Sequence, residues 1–156
     1  MLLLHLMILI IVFFDQLTKY IVLNNCFPSV VNNIIVPNVL CIFPVWNTGV
    51  GLGLLQSIFF INNMLISIVS IVLYRMYFFS KKRCVKDRYF YFMIFSGGLS
   101  NCIDRIVYGA VFDFIKIDLG KNNITVCNVA DIVIFVGLLF IIFNNFKGVS
   151  IHKKHL

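Results

Sequence analysis

The sequence predicts an all-α membrane protein with four transmembrane helices, both termini in the cytoplasm, and a small β-rich element in its outer loops. Of its 156 residues, 61% are hydrophobic and 12% are charged, whereas globular chains are about 45–50% apolar and about 25% charged. The mean hydropathy of +1.00 agrees with this. The apolar residues form four runs of about the 20 residues that a spanning helix needs. Lys and Arg are distributed unevenly between the connecting segments, as in membrane proteins.

The four runs are predicted to form one integral membrane domain, 1–156. The predicted spans are 2–23, 58–79, 89–107 and 129–146. A signal peptide is the alternative interpretation of the first run. Residues 1–14 have neither the basic start nor the small-residue cleavage site of such a segment, so we expect a first transmembrane helix.

Basic residues determine the predicted orientation. Residues 81–88 contain five Lys and Arg residues, whereas residues 24–57 contain none. With four spans, the 81–88 loop and both termini share one side, which the positive-inside rule makes cytoplasmic. The net charge of +7 is therefore interpreted as a topology signal and not as a nucleic-acid site, and we expect the basic loop to face anionic lipid headgroups.

Charged and amide side chains from separate segments are predicted to converge at the outer membrane face. Asp104 and Arg105 end the third span, which runs outward, while Asn128 and Asp131 begin the fourth, which runs inward. Asp113 lies in the outer connection between them. An ionisable group near hydrocarbon costs at least a few kcal/mol and is by default a functional-site hypothesis. The convergence favours a site over incidental polar residues.

Asp15 and Lys19 interrupt the first span near its outer end, with Asp15 about 6 Å deeper at 1.5 Å rise per residue. Two purely structural interpretations of these residues stay open. Asp15 could simply bond a neighbouring helix, and the i, i+4 spacing could be only an intrahelical ion pair.

Local sequence patterns add detail to this group of polar residues at the outer membrane face. Asn101 and Asp104 lie three residues apart on one helical face, and Asn128 and Asp131 repeat the pattern at a helix start. Residues 109–115 alternate and are rich in β-forming residues, so they predict a short extended element. We expect these facing Asn and Asp pairs to surround Asp113.

Glycines mark two further segments. Gly97 and Gly98 allow close helix approach, and residues 47–53 form a glycine-rich outer loop able to bring backbone close to a ligand. The five cysteines show no metal-ligand spacing. Whether Cys26 and Cys41 pair on the outer side is left open.

The polar motifs and their order along the chain resemble those of bacterial lipoprotein signal peptidase, or signal peptidase II, a family of intramembrane aspartic proteases. The resemblance covers nearly the whole chain. It rests on five segments: Asp15-Gln-Leu-Thr-Lys19, Asn47-Thr-Gly49, Gly97-Gly98 through Asn101 and Asp104-Arg105, Val111-Phe-Asp113-Phe-Ile115, and Asn128-Val-Ala-Asp131.

The resemblance implies the roles of the site residues. Asp113 and Asp131 would be the catalytic dyad, with no metal and no cofactor. Supporting or substrate-binding residues would be Asp15, Lys19, Asn47, Gly49, Asn101, Asp104, Arg105 and Asn128. Two carboxylates that share a site cannot both ionise easily, so we expect the pair to hold one proton at working pH. Which aspartate acts as base and which as acid is left open, because the titration belongs to the pair.

The resemblance also implies the substrate and the place of action. The enzyme would remove the signal peptide from prolipoproteins and cut before a diacylglyceryl-modified cysteine. It would act as a monomer in the bacterial cytoplasmic (inner) membrane, with its active site near the periplasmic face, and would contact membrane lipids but no nucleic acid.

Departures from the family pattern bear on loop packing and substrate fit. Ser100 stands where the family usually has Gly, Gly51-Leu52 replaces a small residue and Phe, Trp46 replaces a frequent basic residue, and Cys127 replaces a common Phe. We expect none of them to touch the aspartates.

The main alternative function is a small proton-coupled transporter that uses Asp15 or Asp131 as a proton carrier. Transporter sites usually lie near the midplane between repeated halves. This chain shows no repeat and gathers its carboxylates at one face. A zinc protease of the His-Glu-x-x-His type is excluded because the chain contains no Glu.

Overall fold

The computed structural model describes residues 2–26, 33–36, 39–48, 59–118, 120 and 124–152. Within these residues the chain forms four helices and four strands. They are α1 (Leu2–Cys26), β1 (Asn33–Val36), β2 (Leu40–Asn47), α2 (Phe59–Ser80), α3 (Val85–Tyr108), β3 (Val111–Asp118), β4 (Ile124–Cys127) and α4 (Val129–His152). Each helix coincides with one predicted span to within a few residues at all but one end, and the predicted extended element is confirmed as part of β3.

Two stretches, Leu2–Asn25 and Asn63–Ser80, are long and apolar enough to cross a bilayer, and Val129–Asn144 is a shorter apolar helical stretch. Large apolar side chains point outward from the bundle, among them Phe13 and Phe135. An outer surface of this kind is suited to lipid.

Helix α3 is central and packs against α1, α2 and α4. Its contact with α4 is close, because a Cβ atom added to Gly97 would lie 2.5 Å from the backbone oxygen of Ala130, and one added to Gly137 would lie 3.0 Å from that of Phe90. The predicted role of Gly97 in close helix approach is therefore confirmed. This contact holds the start of α4, which carries Asp131, against α3.

The four strands form one antiparallel sheet in the order β1-β2-β3-β4. The sheet follows α1 and α3 and precedes α2 and α4, so it lies at one end of the bundle, called here the sheet end. Gly109 stops α3 in the left-handed conformation at φ 74° and donates its N–H to the Arg105 carbonyl. This turn leads the chain within two residues into β3 and positions Asp113 beside the helix ends.

A register shift between Ile42 and Val45 interrupts the pairing of β2 with β3. Pro44 lies inside this interruption and has no N–H to donate, which fits the usual place of proline in a sheet. After the shift, Val45 pairs with Asp113 and Asn47 with Val111. Asn47 and Asp113 are thereby diagonal neighbours across the two strands.

Candidate active site

Asp113 and Asp131 line one cavity of about 510 Å³ at the sheet end. Asp113 extends from β3 and is 2% exposed, while Asp131 lies in the first turn of α4 and is partly buried. Asn47, Asn101 and Arg105 also line this cavity. The predicted convergence of polar groups at one end of the bundle is therefore present in the structure.

Asp113 accepts one hydrogen bond on each carboxylate oxygen. The Asn128 side chain donates to Oδ1 at 2.7 Å, and the Asn47 side chain donates to Oδ2 at 3.0 Å. The Asn47 contact depends on the diagonal register of β2 and β3, because diagonal neighbours on an antiparallel pair lie within side-chain reach. Both donors orient the carboxyl group towards the cavity.

Asp131 is oriented by the start of its own helix. Its backbone N–H donates to Asn128 Oδ1 at 2.9 Å, and the Asn128 backbone N–H donates to Asp131 Oδ2 at 3.2 Å. This reciprocal pair is a capping box, which satisfies two N–H groups at a helix N-terminus. Asn101 donates to the other oxygen, Oδ1, at 2.8 Å.

The two central amides are held in one orientation. Asn101 Oδ1 accepts from Lys19 Nζ and from the Asn128 side chain, both at 3.0 Å, so its N–H₂ group faces Asp131. Asn128 Oδ1 accepts the N–H that caps α4, so its N–H₂ group faces Asp113 and Asn101. Each amide thus presents donors, and not acceptors, to the two carboxyl groups.

Burial raises the pKa of Asp113 to about 6, and the nearby charge of Asp131 acts in the same direction. The donors on Asn47 and Asn128 and the positive charge of Lys19 oppose this rise. A carboxyl group with this pKa exchanges its proton near neutral pH, as a general acid or base requires.

Lys19 forms ion pairs with Asp15 and Asp104, each with a Nζ–Oδ2 distance of 2.7 Å. All three residues are at least 96% buried. The i, i+4 pair predicted on α1 is therefore present, but it extends to α3 through Asp104 and to the cavity through Asn101. The interpretation of a purely intrahelical ion pair is wrong.

Sequence reasoning missed Gln16 and treated Ser100 only as a departure. Gln16 Nε2 donates to Asp104 Oδ1 at 2.7 Å and to Ser100 Oγ at 3.1 Å. Ser100 Oγ in turn donates to Asp15 Oδ2 at 2.7 Å, so the expectation that this departure does not touch an aspartate is wrong. The available signal for Gln16 was a further polar side chain directly after Asp15 in the apolar first run. The Ser100 hydroxyl occupies the place of the family's usual glycine and forms a specific hydrogen bond.

The remaining predicted positions are distributed around this centre. Arg105 lines the cavity, and Trp46 packs against Tyr108 and Phe112 with ring centroids 5.1 and 4.9 Å apart. Cys127 also lines the cavity, and burial raises the pKa of its thiol to about 11, so it is neutral at physiological pH.

Three other predicted features lie outside the described residues: Gly49, the Gly51-Leu52 departure and the side chain of Cys26. Cys41 is a free thiol. Within the described ranges, no group of three or more His, Cys, Asp or Glu side chains is arranged to hold a metal ion.

Known proteins match this chain over most of its length, including the helices and the sheet. A family model described as signal peptidase (SPase) II matches residues 7–147. The lipoprotein signal peptidase of Wigglesworthia glossinidia brevipalpis is 36% identical over 142 residues, which cover 90% of this chain and 92% of that one. The lipoprotein signal peptidase of Pelagibacter ubique is 34% identical over 153 residues, which cover 92% and 91%.

A solved structure supports the same grouping. It is described as a bacterial membrane enzyme determined by the in meso method at 2.3 Å resolution. It superposes on this chain with a TM-score of 0.82 at 27% identity and covers 94% of this chain and 89% of its own.

Proposed function

The chain belongs to the signal peptidase II family, and we propose that it is an aspartic endopeptidase that removes the signal peptide from prolipoproteins. Family membership makes the chain a peptidase, and the curated relatives are named for lipoprotein processing. The transporter alternative is set aside on this ground. The cut falls directly before a cysteine that carries a diacylglyceryl group.

One observation carries the catalytic assignment: Asp113 and Asp131 line the same cavity and each receives N–H donors from fixed amides. In the proposed reaction, the ionised carboxylate takes a proton from water as the water oxygen attacks the scissile carbonyl carbon. The protonated carboxyl group donates to the carbonyl oxygen. The tetrahedral intermediate then collapses, the C–N bond breaks, and the leaving amine takes a proton from the pair. The single shared proton belongs to both aspartates.

The walls of the cavity suit a substrate that is part peptide and part lipid. Leu65 and Val69 of α2 and Ile134 of α4 form an apolar side, where a lipid-modified side chain is accommodated. Residues 125–127 of β4 line another side. Because β4 is an edge strand, an extended substrate segment adds to it by backbone hydrogen bonding, as in β-strand addition. The scissile bond is thereby brought to the aspartates.

The proposed enzyme is one membrane domain with four spans, and its termini and residues 81–88 face the cytoplasm. The abundance of Lys and Arg in that loop and their absence from residues 24–57 support this orientation. The sheet end then lies at the periplasmic face of the bacterial inner membrane. A scissile bond held there is within reach of water while the acyl chains stay among the helices. The enzyme works as a monomer and contacts membrane lipids.

The test is cleavage of a purified diacylglyceryl-modified precursor by the full-length chain in detergent. Asp113→Asn and Asp131→Asn are each expected to lose on the order of 10²–10⁴-fold in rate, the usual contribution of a general acid or base. Asp118→Asn is the matched control, because its oxygen can still accept the Gly120 N–H, and it should cleave at the wild-type rate. Wild-type cleavage by either dyad variant would refute the catalytic assignment.

The same assay separates the lipid requirement from the chemistry. The unmodified precursor is offered at equal concentration to the wild-type enzyme. Equal cleavage of the two forms would contradict the proposed substrate while leaving the dyad in place.

A further inference from the structure

Three charged side chains, Asp15 and Lys19 of α1 and Asp104 of α3, form a group called here the Lys19 triad. Lys19 Nζ contacts both aspartates at 2.7 Å and donates to Asn101 Oδ1 at 3.0 Å. An ammonium group has three N–H donors, so these three acceptors use all of them. Lys19 is only 4% exposed. It therefore has no donor left for a substrate.

Each carboxylate of the Lys19 triad also accepts a backbone N–H. Ala130 N donates to Asp15 Oδ1 at 2.7 Å, and Phe112 N donates to Asp104 Oδ2 at 3.2 Å. Ala130 directly precedes Asp131, and Phe112 directly precedes Asp113. The triad thus connects the backbone immediately before one proposed catalytic residue to the backbone immediately before the other.

The other carboxylate contacts are filled as well. Asp15 Oδ2 accepts from Ser100 Oγ, and Asp104 Oδ1 accepts from Gln16 Nε2, both at 2.7 Å. Stability alone is a weak reason for such a group, because replacing a buried ion group with well-packed apolar residues is often neutral or stabilising. Each carboxylate contacts the backbone immediately before a proposed catalytic residue. This arrangement is better explained if the triad positions those two residues.

We propose that Lys19 is a positioning residue that sets the separation of Asp113 and Asp131. Through Asp15 it holds the first turn of α4, and through Asp104 it holds the start of β3. Because both carboxyl groups must meet one carbonyl and one water, their separation decides the rate of the chemical step. A misplacement of about 1 Å costs on the order of 10²-fold in rate. The inference rests on the proposed function of the dyad.

The test uses two changes at the Lys19 triad. Lys19→Met removes the connection but leaves two buried carboxylates without their counter-charge, which is expected to destabilise the fold. The triple variant Asp15→Asn, Lys19→Met, Asp104→Asn removes all three charges, while each Asn keeps an oxygen to accept its backbone N–H. Lys82→Met, on the exposed turn between α2 and α3, is the matched control. Thermal unfolding, kcat and KM are measured for each on the lipid-modified precursor.

The triple variant is expected to unfold close to the wild-type temperature and to lose about 10²-fold in kcat, with KM within about threefold. A merely structural role would change the unfolding temperature and leave kcat per folded molecule intact. Wild-type kcat in the folded triple variant would overturn the proposal, and so would a raised KM with unchanged kcat, which would make Lys19 a substrate contact. If the triple variant fails to fold, Lys19→Gln, which keeps two N–H donors at shorter reach, is measured by the same criteria.

Asp113→Asn is assayed in parallel. Loss of cleavage in this variant together with full kcat in the Lys19 variants would refute the positioning role and leave the proposed function standing. Retained cleavage in Asp113→Asn would instead refute the proposed function itself.

Discussion

Gly97→Ala tests the contact between α3 and α4 next to the dyad. The added methyl group would lie 2.5 Å from the Ala130 backbone oxygen and 2.7 Å from Cγ1 of Ile134, whereas ordinary van der Waals contact begins near 3.4 Å. The first turn of α4 must therefore move by about 0.9 Å, and Asp131 moves with it. Overpacking of this kind costs about 1–3 kcal/mol, and a shift of about 1 Å costs on the order of 10²-fold in rate.

The neighbouring glycine provides the control. A methyl group added to Gly98 would meet Cδ2 of Leu73 at 2.8 Å, and the end of a flexible side chain can move aside. Gly98→Ala should therefore lose much less stability than Gly97→Ala and leave the first turn of α4 in place. Unfolding temperature and cleavage of the lipid-modified precursor are measured for both variants. Equal activity in the two, with equal stability, would refute the idea that the α3–α4 contact determines the position of Asp131.

Two more outcomes follow from the site. Asn128→Ser keeps a good N-cap residue for α4 but shortens the side chain that donates to Asp113. The unfolding temperature should therefore change by a few degrees at most, while the rate of cleavage falls about 10-fold or more. An unchanged rate of cleavage would contradict the role of this donor. The raised pKa of Asp113, about 6 against an ordinary 3.8, means that the folded state binds this proton more tightly than the unfolded state. Its contribution to stability is therefore present at low pH and lost as pH rises from about 4 to about 6, and Asp113→Asn should remove that part of the pH dependence of thermal unfolding.

Much of the site was predictable because residue type and topology carry its signal. The order of the segments predicted that Asp113 and Asp131 lie at one end of the bundle, and the resemblance to the signal peptidase II family implied their role as a dyad. Asn101 and Asn128 were noticed because an amide three residues from a carboxylate lies on the same helical face, and the resemblance implied their supporting role. Asp113, Asp131 and Asn101 do line one cavity, and Asn128 donates to Asp113 beside it.

The rest carried no signal of residue type. Ala130 and Phe112 take part through backbone N–H groups, which every residue except proline possesses. The contact of Asn47 with Asp113 depends on a register shift around Pro44. How many residues the register shifts is set by strand pairing and cannot be read from composition. Physical patterns thus predicted which polar side chains lie together, the resemblance implied their roles, and only the three-dimensional structure shows the hydrogen bonds that orient them.

The pairing of Lys19 has a consequence for how the protein enters the membrane. Asp15 and Lys19 lie on the same helix and neutralise each other at 2.7 Å, so α1 can leave the insertion machinery without net charge in its apolar run. Asp104 meets the same ammonium group only after α3 has packed against α1. Because synthesis proceeds from the N-terminus, α1 is made before α3, and its Lys19 then has Asp15 as its partner on the same helix. When α3 arrives, Asp104 forms a second ion pair with the same ammonium group, and this contact favours the association of the two helices.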